Sequence, residues 1–218
     1  VRLDDVPDHA FSASDRAAVH RVIAQRRDMR HFAGGTVDDE VLGRLLTAAH
    51  HAPSVGLMQP WRFIRVTDAS LRAGIHRLVE SERVRTAEAL GERSDEFMRL
   101  KVEGVLDCAE LLVVALGDDR DRHVFGRRTM PQMDLASAAC AIQNLWLAAR
   151  AEGLGMGWVS LFEPAALRTL LGMPPASEPI AVLCLGPVDE FYDRPMLEDM
   201  GWATVRPLTE LVSVNGWT

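Results

Sequence analysis

The 218-residue chain carries 24 Lys and Arg against 31 Asp and Glu, a net charge of -7, and 48% of it is hydrophobic. That length and apolar content predict a single domain over residues 1–218, while the acidic balance excludes the broad basic face that nucleic acid or an anionic membrane requires and leaves room for a small anionic ligand. No apolar run approaches the roughly 20 residues of a membrane helix, and 1–8 shows neither the basic nor the apolar region of a signal peptide, so cytoplasmic residence is the expectation.

Ser12 to Gln25 reads as an amphipathic helix with a cap signature at Ser14 and with Val19, Val22 and Ile23 at helical spacing. It runs out into Arg26, Arg27 and Arg30, followed by the turn-like pair Gly34-Gly35. Guanidinium groups packed this closely on an acidic protein point to an anion site that can fork onto a phosphate. A helix end whose cations complement the macrodipole accounts for the same cluster equally well. Asp28, set among the arginines, is expected to stay ionised and to face a ligand.

A second helix is predicted over Asp38 to His51, with Thr36 as its cap and Pro53 as its stop. The loop from Pro53 to Pro60 leads into a strand containing Trp61, Phe63, Ile64 and Val66. Residues 69–104 are charged and helix-favouring, two helices broken near Gly91 that can cover a site. Leu111 to Leu116 fits a strand buried on both faces. After a polar loop over Arg120 to Pro131, the stretch from Asp134 to Glu152 is apolar nearly all round, as a central helix is. Trp158 to Phe162 reads as a strand, Pro164 to Leu171 as a short helix, and Ile180 to Leu185 as a strand. This alternation predicts helices packed on a sheet. The tail, 189–218, carries Trp202, Leu208, Leu211 and Trp217 and is predicted to extend as an arm onto a partner subunit.

There is no Gly-x-Ser-x-Gly elbow, no phosphate-loop lysine motif and no dinucleotide fingerprint after the first strand. Gly153-Leu154-Gly155-Met156-Gly157 imitates that fingerprint but follows a helix and enters a strand, so it is read as a tight turn. Cys108, Cys140 and Cys184 lie in apolar stretches and read as buried free thiols. The seven histidines, His50 and His51 among them, show no ligand spacing, and no metal is expected. What remains are polar residues on loops bounded by glycine or proline: the arginines with Asp28, Ser54 with Gly56, Ser160, and Arg206.

In their contexts these residues resemble the nitroreductase-like flavoproteins. The matching stretches are Arg26 to Arg30; Ala52 through Trp61; Leu100, Lys101, Glu103 and Gly104; Gly126, Arg127 and Pro131 to Asp134; Gln143 to Glu152; Gly157 to Ser160; and Gly201-Trp202. The resemblance implies an α+β fold, a mixed and mainly antiparallel sheet flanked by helices, in a homodimer with an FMN ring at its interface. It places Arg26, Arg27, Asp28, Met29, Arg30, Ser54, Gly56, Met58, Leu100, Gly157, Ser160 and Arg206 at the flavin, with 69–104 as a lid. Ordinary members usually carry serine where this chain has Asp28. The branch with aspartate implies that reduced FMN is itself the substrate, fragmented with dioxygen to dimethylbenzimidazole and erythrose 4-phosphate. A separate flavin reductase then supplies FMNH2. Asp28 is the expected proton carrier, and Ser160 the expected partner of the flavin nitrogen edge. An NAD(P)H nitroreductase or quinone reductase that spares its flavin, and a noncatalytic flavin-binding protein, are the alternatives. Departures are confined to His31-Phe32 and to the loop Arg127 to Met130.

Overall fold

The computed structural model describes residues 9–217; the stretch 1–8, read above for leader features, and Thr218 lie outside the described residues. The sheet is organised by β2 (Glu110–Leu116), every residue of which is buried. Alternate side chains of a strand face opposite sides. Leu111 and Val113 therefore join Val66, Ile75, Val79 and Leu167, while Leu112, Val114 and Leu116 join Leu42, Leu45, Ile142 and Leu145. Two covered faces explain why this strand reads as an unbroken apolar run.

Its neighbours are β1 (Trp61–Arg65) and β4 (Glu178–Gly186), with β3 (Gly155–Val159) beyond β4, in the order β1-β2-β4-β3. All three pairings are antiparallel. A parallel bridge between Asp28 and Met156 makes the sheet mixed. On one face lie α2 (Asp39–His50) and α5 (Met133–Ala151); on the other lie α3 (Ala69–Leu90) and α6 (Pro164–Leu170). The break expected near Gly91 is there, with φ 56° at that glycine, and α4 (Ser94–Met98) follows it. No helix among the described residues is long and apolar enough to cross a membrane.

Several boundaries differ from the sequence reading. The first helix, α1 (Ala13–Gln25), is capped by Ser12, whose Oγ accepts from Asp15 N at 3.2 Å, so Ser14 lies inside it. None of its residues is buried; Val19 and Ile23, expected on a packed face, are about half exposed. Asp38, not Thr36, precedes α2. The central helix α5 is buried along a stripe only, because its 100° advance per residue turns Leu135 and Cys140 outward. Cys108 and Cys184 are buried thiols; Cys140 is exposed.

The largest difference lies at β3, which starts at Gly155 rather than Trp158 and ends before Ser160. Gly153, with φ 79°, makes the turn. Gly155 and Gly157 are strand residues, glycine because neighbouring chain comes too close for a side chain: a Cβ at Gly157 would run into the Met29 carbonyl oxygen, and one at Gly155 into Val188. In the tail, Leu208, Leu211 and Trp217 are exposed as expected, whereas Trp202 packs with Phe97 and Leu100.

Candidate functional site

The arginine segment leaves α1 in extended conformation, with φ -62° and ψ 134° at Arg26, and lies along the outer edge of β3, where Met29 N donates to Met156 O at 2.9 Å. Extended chain turns successive side chains to opposite sides. Met29, expected at the cofactor, is thereby sent into the core, 1% exposed, while Asp28 and Arg30 face a cavity. Asp28 Oδ1 accepts from Trp158 N at 3.1 Å, and Oδ2 accepts from Arg30 Nη2 at 2.6 Å. That same Nη2 donates to Trp158 O at 2.8 Å. The pair is locked to the end of β3.

The three arginines do different work. Arg27 Nη1 donates to Ala24 O and Arg26 O, each at 2.8 Å, and its Nη2 to Asp193 O at 2.6 Å. Arg27 thus serves the carbonyl end of α1, the helix-end role that the sequence allowed. The Arg26 guanidinium makes no hydrogen bond among the described residues and stacks 4.4 Å from the ring centre of Trp146. Within this segment, Arg27 Nε and Arg30 Nη1 are buried donors that lack acceptors among the described residues. A group rich in acceptor oxygens suits such a wall.

Burial works against the ionised form that the arginines around Asp28 favour. Burial raises its pKa above the ordinary carboxylate value, and the opposing charges of Arg30 and Arg26 and the Trp158 N–H only partly offset this. Its side chain still keeps 43% of its surface open, and a ligand covering that opening would desolvate it further. The carboxyl is therefore suited to hold and pass a proton closer to neutral pH than a surface aspartate does.

The cavity measures about 300 Å³ and also takes in Leu100, Lys101, Ser160, Met196 and Trp202. The segment from Phe97 to Val102 forms one wall, and Arg83 on α3 donates to Met98 O at 2.6 Å and Leu100 O at 3.0 Å. The tail forms another, through α7 (Met196–Asp199) and Trp202, whose ring is stacked by Arg93 at 3.6 Å. Tyr192 Oη accepts from Arg30 N at 3.2 Å and pairs with His31 Nδ1 at 2.6 Å, stitching the tail to the arginine segment.

Arg26, Arg27, Asp28, Arg30, Leu100 and Ser160 are thus brought together. Ser160, past the end of β3, is exposed and its hydroxyl makes no hydrogen bond among the described residues. Gly157 lies beside the Asp28–Arg30 pair as the point of close approach. Gly157 itself, with Ser54, Gly56, Met58 and Arg206, does not line this cavity. Ser54 Oγ accepts from Gln59 N at 3.0 Å, Gly56 (φ 54°) backs onto Phe125, and Arg206 Nε lies 3.4 Å from Glu210. Phe97, Met196 and Tyr192 were missed. Phe97 reads as ordinary helix filling, and nothing local tells that the segment around Pro195 folds back over residues 26–30.

A sheet of this order with an arginine-lined cavity at its β3 edge defines the class: the chain belongs to the nitroreductase family, whose model matches residues 23–187. Among named proteins it is 40% identical over 199 residues to the 5,6-dimethylbenzimidazole synthase of Rhodospirillum rubrum, covering 90% of this chain and 94% of that protein. It is 39% identical over 194 residues to the 5,6-dimethylbenzimidazole synthase of Rhodobacter capsulatus, covering 88% and 94%. The NADPH:FMN oxidoreductase of Vibrio harveyi shares the fold, with a TM-score of 0.69 at 21% identity, covering 92% of this chain and 78% of that one.

Proposed function

We propose that this chain is a 5,6-dimethylbenzimidazole synthase, which consumes reduced FMN and dioxygen and releases dimethylbenzimidazole and erythrose 4-phosphate. The observation that carries the reading is the placement of Asp28: in a chain about 40% identical to synthases of that name, a carboxylate with a raised pKa sits on the cavity wall, fixed by Trp158 N and Arg30. The reduced flavin, when bound, supplies the electrons for oxygen chemistry. The protein's part is to hold it, exclude water and move protons.

Arg26 and Arg30 are the available cations for the phosphate and ribityl chain, since both Arg27 terminal nitrogens are already engaged. The Arg30 Nη1 without an acceptor fits a ligand bearing oxygens. With the flavin bound, Asp28 would be placed to take or give a proton near the ribityl chain, and the Ser160 hydroxyl would be available to pair with the ring's nitrogen edge. The lid and the Trp202 segment keep water out.

At about 300 Å³ the cavity lies at the small end for a ligand site, which supports completion by a second copy in a homodimer. The partner copy would contribute the Ser54–Met58 loop and Arg206, while the exposed apolar residues of α1 and of the tail, Trp217 among them, would be covered in that assembly, with the tail acting as the arm. The whole chain then works as one domain in the cytoplasm, and a separate reductase supplies FMNH2.

Chemically reduced FMN, air and purified protein are the test. Dimethylbenzimidazole detected by mass spectrometry, with negligible NADH consumption, is the expected result. Steady NADH turnover with nitroaromatics at ordinary nitroreductase rates would assign the first alternative, and FMN recovered unchanged would leave only a flavin carrier.

A further inference from the structure

Beyond the cavity-lining Leu100, Lys101 and Val102, the chain meets α3 again at Glu103. His76 and Glu80, one turn apart on α3, project to the same side of the helix. One donor atom from each of His76, Glu80 and Glu103 lies within 4.8 Å of the others. All three residues are partly buried, and the set is mixed, an imidazole with two carboxylates.

Its spacing is informative. His76 Nε2 and Glu103 Oε1 are 3.8 Å apart, too far for a hydrogen bond. Bonds of about 2.0–2.2 Å from one ion to imidazole nitrogen and carboxylate oxygen put neighbouring donors roughly 3–4 Å apart. Glu103 is also held in place, because Oε2 accepts from Val105 N at 2.5 Å. Oε1 is left without a hydrogen bond among the described residues. Two carboxylates drawn together repel unless a cation joins them. Arg83 already pairs with one of them, its Nη1 donating to Glu80 Oε1 at 3.5 Å and its Nη2 to the Met98 and Leu100 carbonyls, and it makes no ion pair with Glu103 among the described residues.

We propose that His76, Glu80 and Glu103 form a binding site for a divalent first-row transition ion of the Zn²⁺ type. Imidazole with carboxylate suits such ions better than Mg²⁺ or Ca²⁺, which prefer oxygen alone. Three protein ligands leave a coordination position for water. The ion joins α3 to the segment that Arg83 already fastens, so its binding stiffens one wall of the cavity. This inference is independent of the flavin reaction.

The full chain, stripped with a chelator, is titrated with Zn²⁺ by calorimetry and with Co²⁺ by visible absorption, and melted with and without Zn²⁺. One ion per chain, ligand-field bands from Co²⁺ and a higher Tm are expected. Glu103→Gln keeps an acceptor for Val105 N, and His76→Gln keeps a polar side chain; each should weaken Zn²⁺ binding by about tenfold or more. Absence of saturable one-to-one binding overturns the proposal. So does unchanged affinity in both variants, which would put the ion elsewhere, for example on thiols. No flavin enters these measurements, so their failure leaves the proposed activity standing.

Discussion

Two aspartates, each set between arginines, show how the same ingredients serve structure in one place and chemistry in another. Asp134, in the first turn of α5, is 3% exposed. Its Oδ2 accepts from Arg120 Nη1 at 2.9 Å and Arg127 Nη2 at 3.1 Å, and its Oδ1 accepts from Leu135 N at 2.6 Å. Both oxygens are satisfied, and the residue pins the 120–131 loop to the helix. Asp28 has one guanidinium and one backbone N–H, while Arg26 turns to Trp146 and Arg27 to the end of α1. Its carboxyl is desolvated without being saturated. A saturated carboxylate is committed to structure; one partly desolvated beside a cavity is easier to protonate than a surface aspartate and keeps an open edge for a ligand.

Substitution separates the two. The largest effect expected is on catalysis: Asp28→Asn should lower dimethylbenzimidazole formation by roughly 100- to 10,000-fold, with FMN affinity measured by fluorescence quenching nearly unchanged. Full activity in that variant would end the distinction drawn here. Next comes Asp134→Ala, which leaves Arg120 and Arg127 without their shared counter-charge and should cost about 3 kcal/mol in urea unfolding. A loss within a few tenths of a kcal/mol would show that Glu178, 3.4 Å from Arg120, can replace it.

The smallest effect tests the sign of the Asp28 shift. A carboxyl whose pKa is higher folded than unfolded disfavours folding once ionised. The wild type should therefore match Asp28→Asn below the ordinary carboxylate pKa and fall behind it as pH rises through the raised value. Tm measured for both proteins across that window checks it, and a wild type that gains on the variant with rising pH would reverse the assignment.

Most of the fold was legible because each element carries its own period or punctuation. The run Leu111 to Leu116, the Gly91 break and the Pro164 start act locally. The cap at Ser12 was misread because a second serine, Ser14, stands two residues further on, and backbone geometry chose between them. At the site, Arg26, Asp28 and Arg30 were legible as charge against an acidic background. The exclusion of Met29 from the wall was not, since it depends on the segment running extended along β3.

Composition, hydrophobic period and turn residues determined by themselves the order of helices and strands and the arginine cluster around Asp28, and the resemblance carried by the matching stretches implied the α+β class and the family. Only the tertiary structure decided what each does. Charge is written in the sequence, but desolvation, hydrogen-bond saturation and the meeting of distant segments depend on how chain packs on chain. Thus Arg27 serves a helix end, Asp28 carries a raised pKa, Gly157 yields its side-chain space to Met29, and the 195–202 segment closes over an arginine cluster far away in sequence.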